Sequence, residues 1–310
     1  MDNSGISLDL MRTFVRIVER GTLSAVARDL GIGQSSVTRH LRELEEALGA
    51  PLLSRTTRRM ALTEEGSRFY ARSTQILQLV ERAAEEVRDR RGTASGTVRI
   101  SCTAALGVLH ISRIIFEFQD MYPGIDVELS LTDERIDLVR EGADIALRLG
   151  PVAESSVKLR TLGQSERILV AAPAYLRARG IPTSPEALAD HEGVRMINIA
   201  GSERLQLLDP DGIEHSIPFG GRLRIDHGLV AREALIAGRG FAPAHRWLVD
   251  DLLTNGTLEA LLPDHHIRPV PLSLLIVPDR ADIRRVRLLI DFLADKILTI
   301  PGIRRRASWA

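Results

Sequence analysis

Cysteine is almost absent from this chain of 310 residues, because Cys102 is the only one. A single thiol excludes an internal disulfide framework, and a reducing cytoplasm is therefore the expected compartment. Long apolar runs are also missing, since no stretch approaches the ~20 apolar residues that a membrane span needs. The start of the chain, Met1 to Ser4, has no basic residue and no apolar run, so we expect no secretory signal and no membrane partner.

An excess of charge of either sign is missing as well. The chain has 41 basic and 41 acidic residues and a formal net charge of +0, which excludes a uniformly basic surface for nucleic acid. Residues 1–92 nevertheless contain 15 arginines, no lysine and 13 acidic residues, a local balance of +2. Within them, the segment from Ala50 to Leu62 carries three arginines and no acidic residue. This segment is a candidate for contact with phosphates.

The motifs of common enzymes do not occur. The chain contains neither the HExxH pattern of zinc proteases nor the GxSxG turn of serine hydrolases. Two histidine-containing pairs lack the spacing of metal ligands, and two glycine pairs lack the strand, loop and helix order of a dinucleotide site. These pairs are His191-Glu192, His265-His266, Gly31-x-Gly33 and Gly238-x-Gly240. We therefore expect no enzymatic activity, no metal and no cofactor.

Three short helices are predicted at the amino end of a chain long enough for two or three domains. Apolar residues spaced i, i+4, i+7 and i+8 from Leu10 predict a helix between residues 8 and 20. Single glycines then separate this helix from helices at 23–30 and 34–48. The residues that would fill the crevice between the second and third helices are Val26, Leu30, Ile32, Val37 and Leu41. This pattern predicts a helix-turn-helix over residues 23–41.

A short β hairpin and a long helix are predicted next. Residues 51–62 form two short apolar segments around a basic, threonine-rich tip, which indicates a wing. Thr63 is a suitable N-cap for a helix that continues to about Arg90 and has Glu64 in its first turn. Apolar residues along this helix keep a heptad rhythm that only Ser73 interrupts, so we expect it to pair with another helix.

The third helix leaves short polar side chains and arginines exposed once its apolar face is buried. Such side chains are suited to base edges and phosphates in a duplex groove. Arg39 can pair with guanine and Gln34 with adenine, while the N–H groups at the start of the helix can hold a phosphate. The predicted DNA-binding residues are Gln34, Ser35, Ser36, Thr38, Arg39 and Arg42 on the helix, and Arg55, Arg58 and Arg59 on the wing. For single side chains such as Thr38 or His40, the pattern is as compatible with solvation as with base contact.

Beyond the small, polar segment from Arg91 to Gly96, the pattern changes to alternating strands and helices. This alternation predicts right-handed βαβ units, a mainly parallel sheet and two α/β lobes with a cleft between them. The first set comprises strands at 98–102, 126–131 and 145–149 and helices at 108–119 and 136–141. The second set comprises strands at 167–172, 194–199, 223–225 and 241–244 and helices at 174–179 and 229–237. A strand at 272–277 and an amphipathic helix at 283–297 complete the chain.

The segment from Leu8 to Gly66 strongly resembles the LysR-type transcriptional regulators, and the resemblance covers nearly the whole chain. The sequence departs from the family pattern at Gly33, where a capping serine is common, and at Leu53, where phenylalanine is frequent. The resemblance implies an α/β multidomain protein whose last domain is like a periplasmic binding protein. The implied parts are a winged helix-turn-helix at 1–63, a linker helix for dimerisation at 64–92 and an effector-binding domain at 93–310, with lobe I at about 93–163 and 270–300 and lobe II at about 164–269.

The resemblance and the general rule for open α/β sheets both place a ligand between the lobes, at the carboxyl ends of strands. The candidates are Ser101, Cys102, Thr103, Thr132, Arg148 and Gly150 from lobe I, and Asn198, Asp226, His227 and Phe241 from lobe II. Helix amino ends near Thr103 and Gly228, together with Arg148, favour an anionic ligand such as a small carboxylate or an aromatic acid. Polar residues at strand ends are also common as helix caps, and Cys102 is either a small buried apolar residue or a redox sensor.

The sequence therefore predicts a sequence-specific, DNA-binding transcription regulator that a small-molecule co-inducer controls. A dimer is expected to read an interrupted inverted repeat, and the resemblance implies dimers of dimers. The expected partners are duplex operator DNA, the co-inducer, further copies of the chain as a homodimer or homotetramer, and RNA polymerase. Two alternatives remain open: a constitutive DNA-binding protein whose C-terminal domain only oligomerises, and a solute-binding or enzymatic protein.

Overall fold

The computed structural model describes residues 5–56, 59–89, 94–134, 138, 141–152, 157–199 and 201–305. The chain divides into two compact units, one of Met1–Gly92 with Val139–Gly142 and one of Thr93–Leu138 with Ala143–Ala310. These are the N-terminal unit and the C-terminal unit.

Three helices of the N-terminal unit begin and end where the sequence predicts. They are α1 (Leu8–Arg20), α2 (Leu23–Leu30) and α3 (Gln34–Leu48). The turn between α2 and α3 depends on Gly31, whose φ of 65° is accessible to glycine at little steric cost. The apolar faces of the helices meet in one core, in which Phe14, Val26, Val37 and Leu44 are fully buried. The predicted helix-turn-helix is thus confirmed.

The hairpin and the long helix are confirmed as well. Strands β1 (Leu53–Thr56) and β2 (Arg59–Leu62) pair antiparallel, and α4 spans Glu64–Asp89. The Glu45 Oε1 atom of α3 accepts hydrogen bonds from the backbone N–H groups of Leu52 at 2.8 Å and Leu53 at 3.2 Å, which attaches the hairpin to α3. Gly66 lets α4 pack against this junction, because a Cβ atom there would clash with the Leu52 carbonyl oxygen.

The C-terminal unit is built from short helices around β-sheets. Its described strands are β3 (Gly96–Cys102), β4 (Ile125–Leu131), β5 (Ile145–Leu149), β6 (Lys158–Ala171), β7 (Arg195–Met196), β8 (Arg204–Leu208), β9 (Glu214–Pro218), β10 (Arg224–Ile225), β11 (Phe241–His245), β12 (Glu259–Leu261), β13 (Ile267–Ile276) and β14 (Ile303–Arg304). Its described helices are α5 (Ala104–Leu106), α6 (Ser112–Met121), α7 (Pro173–Arg179), α8 (Gly228–Ile236), α9 (Arg246–Thr254) and α10 (Arg284–Lys296). A π-helical turn, Gly107–Ile111, joins α5 to α6.

The main sheet of this unit is mixed rather than mainly parallel, which corrects the sequence prediction. Within the described residues its strand order is β11-β6-β13-β5-β3-β4, and β12 and β14 also pair with β6. β3 pairs parallel with β4 and β5, but the pairs that involve β6 or β13 are antiparallel. The reason is that β13 brings the chain back from lobe II to lobe I and therefore runs opposite to β5 and β6, the strands on either side of it.

The two long strands, β6 and β13, connect the two lobes. In lobe I, residues 158–163 of β6 pair with residues 272–276 of β13. In lobe II, residues 167–171 of β6 pair with β11. Residues 169–171 also pair with β12, and Arg167 with Ile267 of β13. The pairing register shifts on both sides of Val270, which lies opposite Ser165 of β6. Ser165 therefore marks the point at which β6 passes from one lobe to the other.

Several predicted elements of this unit differ from those observed. The helix predicted at 108–119 begins at Ala104, and the strand predicted at 194–199 is only β7. The strand predicted at 167–172 is the second half of the longer β6. The β8–β9 hairpin, α9, β12 and β14 have no counterpart in the prediction. The helix predicted at 136–141 lies mostly outside the described residues.

Candidate functional sites

The polar face of α3 is exposed, as a surface that reads DNA must be. Gln34, Ser35, Arg39 and Arg42 are exposed, and Ser36 and Thr38 are half-buried. On the opposite side of the helix, Val37, Leu41 and Leu44 pack into the core of the N-terminal unit. The core therefore holds α3 firmly and leaves its polar side chains available.

The polar side chains on this face bond to near neighbours. Arg39 pairs with Glu43 at 3.6 Å and Arg42 pairs with Glu46 at 2.7 Å, each one turn along α3. The two arginine side chains remain 67% and 79% exposed. The Thr38 hydroxyl donates to the Gln34 carbonyl oxygen at 3.1 Å. Exposed pairs of this kind contribute little to stability, so a phosphate or a base edge can replace them.

The start of α3 has no side-chain cap. Gly33 is the N-cap residue, with φ −69° and ψ 148°, and no side chain accepts a hydrogen bond from the first turn. A helix amino end of this kind carries partial positive charge and favours an anion such as a phosphate.

The wing arginines are placed only in part by the structure. Arg55 lies on β1 opposite Met60, and Arg59 lies on β2 opposite Thr56. The side chains of Arg55 and Arg59, and the whole of Arg58, lie outside the described residues. Their contact with DNA stays a prediction.

His40 has a different task from its neighbours on α3. Its Nδ1 atom lies 2.9 Å from the hydroxyl of the buried Thr13 on α1. Because that hydroxyl already donates to the Asp9 carbonyl oxygen at 2.8 Å, the proton between the two side chains belongs to His40 Nδ1. His40 therefore fastens α3 to α1, and the sequence pattern alone did not show this contact.

In the C-terminal unit, the lobe I candidates gather at one edge of the sheet. Thr103 follows β3 and Thr132 follows β4, and the Thr132 N–H donates to the Cys102 carbonyl oxygen at 2.9 Å. Arg148 of β5 donates to the hydroxyl of the buried Ser101 at 2.8 Å and to the Leu147 carbonyl oxygen at 3.0 Å. These residues lie together at the carboxyl ends of β3, β4 and β5.

Three of the four lobe II candidates lie together at the corresponding edge of their lobe. Asn198 and Asp226 are exposed, and the Asn198 side-chain amide donates to the Asp226 carbonyl oxygen at 2.9 Å. His227 caps α8, since its Nδ1 atom accepts from the Leu229 N–H at 3.3 Å. The two lobes are close together here. A Cβ atom added to Gly228 of lobe II would lie 3.1 Å from the Cβ atom of Ala105 in lobe I.

Phe241 does not face the cleft. It is 1% exposed and packs against Phe219, with 5.3 Å between the ring centroids. The sequence prediction took Phe241 for the carboxyl end of its strand, but Phe241 is the first residue of β11. The bridge between Phe241 and Gly193 is parallel, so β11 runs in the same direction as the residues that lead into β7. The carboxyl end of β11, which faces the same edge as the end of β7, is His245.

Two further lobe I candidates are used internally. Cys102 is fully buried, and burial raises the pKa of its thiol to about 12. A thiol in this state is not a reactive thiolate, which favours the reading of Cys102 as a small apolar residue. Gly150 has φ 90° and donates its N–H to the Pro271 carbonyl oxygen at 2.9 Å, so it shapes the chain after β5.

Asp133 lies beside the lobe I candidates, although the sequence does not indicate it. Its Oδ1 atom accepts a hydrogen bond at 3.0 Å from the Ala104 N–H, at the first turn after Thr103. The two residues are 29 positions apart, and only the parallel pairing of β3 and β4 brings them together. A carboxylate of the chain itself thus occupies one of the N–H groups that we expect an anionic ligand to use.

In the described part of the chain, no three His, Cys, Asp or Glu side chains are grouped so that they could hold a metal ion. None of the helices described here combines the length and the apolar character that crossing a membrane requires.

Two family models match the chain, one for each unit. The model of the bacterial regulatory helix-turn-helix protein, lysR family, matches residues 8–67. The model of the LysR substrate binding domain matches residues 91–297.

Similar proteins match over almost their full length. The HTH-type transcriptional regulator CrgA of Neisseria meningitidis is 31% identical over 289 residues, which are 93% of this chain and 96% of CrgA. The HTH-type transcriptional regulator DmlR of Escherichia coli is 30% identical over 297 residues, 94% of this chain and 95% of DmlR. The full-length structure of AphB, a Vibrio cholerae virulence activator, matches with a TM-score of 0.63 and 29% identity, over 94% of this chain and 99% of AphB.

These matches confirm the resemblance seen in the sequence and the order of the two domains. The relatives are transcription regulators rather than enzymes, which agrees with the expectation of no enzymatic activity. The chain belongs to the LysR family of transcriptional regulators, and it is a DNA-binding regulator with an effector-binding domain.

Proposed function

We propose that this regulator reads a specific operator with α3 and the wing, and that an anionic small molecule between the two lobes controls it. The observation that carries the first part is the exposed polar face of α3, held from behind by the core. A helix placed in this way can enter the major groove with its side chains directed at base edges.

In this proposal the candidates on α3 and the wing either read bases or contact phosphates. Arg39 reads guanine and Gln34 reads adenine, while Ser35, Ser36, Thr38 and Arg42 contact base edges or phosphates. The uncapped start of α3 holds a phosphate, and the wing arginines Arg55, Arg58 and Arg59 add phosphate or minor-groove contacts.

The proposed regulator is a homodimer or a homotetramer that pairs through α4. Ile76, Leu79 and Val80 on this helix are 38%, 55% and 38% exposed, an apolar surface that a second helix would cover. A dimer would read two half-sites about one DNA turn apart, ~34–36 Å. RNA polymerase is the further partner that we propose, since a regulator of transcription acts on it directly or through the DNA.

The ligand proposal rests on the convergence of the strand ends. Ala105 of lobe I approaches Gly228 of lobe II, and the candidates lie at the strand ends of these two lobes. They are Thr103, Thr132 and Arg148 in lobe I, and Asn198, Asp226 and His227 in lobe II. The positive charge of Arg148 and the amino end of α8 favour an anionic group on the ligand. A ligand that binds one arrangement of the lobes more tightly shifts the population toward it and changes the bend of the bound DNA.

One observation favours the alternative, in which DNA binding is constitutive and the C-terminal domain only oligomerises. The polar groups on the lobe I side already bond to one another, as in the Arg148 contact with Ser101 and the Asp133 contact with the Ala104 N–H. A site that is satisfied internally needs no ligand for its stability.

Thermal melting separates the two functions. With a library of small carboxylates and aromatic acids, a cleft ligand should raise the melting temperature of the full chain. Asn198→Ala should reduce this rise, while Asn255→Ala, at the end of α9, should leave it unchanged. If no acid raises the melting temperature while operator binding persists, ligand control is refuted and the scaffold is supported.

Operator binding is tested by selecting bound fragments from the source genome and sequencing them. The selected duplex should bind more tightly than a scrambled one, and both affinities should fall as salt rises, because phosphate contacts release counterions. Equal affinity for the two duplexes would refute sequence-specific reading.

A further inference from the structure

A cluster of buried and half-buried aromatic and polar side chains lies at the junction of the two lobes. The Trp247 indole N–H of α9 donates to the Ser165 hydroxyl at 3.0 Å, and His245 Nδ1 lies 2.8 Å from the same hydroxyl. The His245 and Trp247 rings stack, with centroids 5.3 Å apart and an interplanar angle of 18°. Since β6 changes lobes at Ser165, this cluster fixes lobe II to the crossing point.

His110 of lobe I contacts the same cluster. His110 Nε2 lies 2.9 Å from the Trp247 carbonyl oxygen, and the His110 ring meets the edge of the indole with centroids 6.0 Å apart. A carbonyl oxygen only accepts, so His110 Nε2 carries the proton and donates. The contact spans 137 positions of sequence and joins the two lobes directly.

The backbone around His110 is unusual in a way that supports this contact. His110 lies in the π-helical turn Gly107–Ile111, in which the Ser112 N–H donates to the Gly107 carbonyl oxygen five residues earlier. Single π turns are rare and frequently occur at functional positions, because they rotate the side chains that follow. A Cβ atom at Gly107 would clash with the end of the Leu131 side chain, so a larger residue there would require that side chain to move.

We propose that His110 is a latch between the lobes: its hydrogen bond to the Trp247 carbonyl oxygen holds the lobes together without ligand. The Trp247 indole also bonds to Ser165, so breaking the His110 hydrogen bond is linked to the point at which β6 crosses between the lobes. This inference rests on the proposed function, because the lobe motion that it restrains is the one that a ligand in the cleft would bias. Breaking one hydrogen bond costs little compared with unfolding a lobe. The latch therefore sets the balance between closed and open lobes without deciding whether the domain folds.

Amide hydrogen exchange of the full chain, with no ligand added, tests the latch. In His110→Ala, exchange should be about fivefold faster at residues 103–106 and 228–231, which face each other across the cleft. Exchange at 145–149, inside lobe I, should not change. His110→Gln keeps a donor and should restore slow exchange. Ser112→Ala, on the same helix, removes only a bond to the Val108 carbonyl oxygen and should behave as the unaltered chain.

Three results would overturn the proposal: faster exchange confined to 246–254, unchanged exchange at both cleft faces, or no recovery in His110→Gln. If the alanine chain does not fold by circular dichroism, His110→Phe, which keeps the ring and lacks the donor, takes its place with the same expected result. If no acid raises the melting temperature, ligand control is refuted, but the exchange rates measured without ligand do not change. The melting experiment therefore tests ligand control, and the exchange experiment tests the latch separately.

Discussion

The exposed face of α3 and the lobe I side of the cleft are both polar, but their side chains are held differently. On α3, Arg39 and Arg42 pair with glutamates four residues along the same helix and stay mostly exposed. In lobe I, Arg148 bonds to the buried Ser101, 47 positions away. Local, solvated contacts are easily exchanged for contacts with DNA, whereas a buried contact must be kept or replaced by an equal one. We therefore expect the α3 surface to bind DNA without losing a strong contact, and lobe I to accept only a ligand that replaces the hydrogen bonds it breaks.

Removing a buried charge from lobe I should have the largest effect on stability. Asp144 is 1% exposed, lies 3.1 Å from the Arg280 Nε atom in an ion pair and accepts the Arg99 N–H at 2.8 Å. Asp144→Ala should lower the free energy of unfolding of the C-terminal unit by about 3–5 kcal/mol, because a buried cation loses its carboxylate. Calorimetry of the full chain measures this. Asp126→Ala, an exposed carboxylate on β4, is the control and should change it by less than about 0.5 kcal/mol.

Acidification should destabilise the cluster around His245. Burial, and secondly the charge of Arg167, lower the pKa of His245 to about 3. In the unfolded chain a histidine titrates near ~6.5, so the unfolded state binds the proton first and stability falls as the pH drops from ~6.5 toward ~3. The contribution of His245 to this loss should be about 2 kcal/mol at pH 5.

His245→Asn should flatten the pH dependence of the melting temperature between pH 7 and pH 5. His266→Asn, which removes an exposed histidine, should retain it. An equally steep dependence in His245→Asn would contradict a neutral, buried imidazole at this position.

Arg39→Ala should separate binding from stability. Its pair with Glu43 is exposed, so the melting temperature should hardly change. Affinity for the selected operator should fall by about 1–3 kcal/mol, and preference at one base position should relax. Fluorescence anisotropy with selected and random duplexes measures this. An equal loss on both would assign Arg39 to phosphate contact, and Arg222→Ala in the C-terminal unit controls for a general loss of charge.

The smallest effect is expected at the start of α3. Gly33 has an ordinary φ of −69°, and a Cβ atom would meet the Ser35 hydroxyl at 3.5 Å and the Ser36 hydroxyl at 3.9 Å, which are ordinary contact distances. Gly33→Ser should stabilise the N-terminal unit by a few tenths of a kcal/mol, roughly the gain of a capping hydroxyl. Gly31→Ser, at φ 65°, should instead destabilise it by about 1 kcal/mol. Thermal melting of the two variants gives opposite signs if the turn is as described.

The N-terminal unit was predictable because its signals are local. Caps, single-glycine turns and apolar spacing each act within a few residues, and α1, α2 and α3 have their predicted bounds. In the C-terminal unit, the same reasoning placed β5 and most of α8 but missed the β8–β9 hairpin, although Asp211-Gly212 between alternating apolar residues is a turn signal. The antiparallel pairing of β6 and β13 had no local signal, since it is decided by partners about a hundred residues apart.

By itself the sequence determined which residues of α3 are polar, where that helix begins and ends, and which strand ends carry polar groups. Those properties follow from side-chain chemistry at short range. Only the tertiary structure decided that Phe241 is buried at the far end of its strand, that Asp133 reaches the Ala104 N–H and that His110 reaches Trp247. Each of these contacts joins distant parts of the chain, and strand register and lobe packing, rather than local preference, determine which side chains meet.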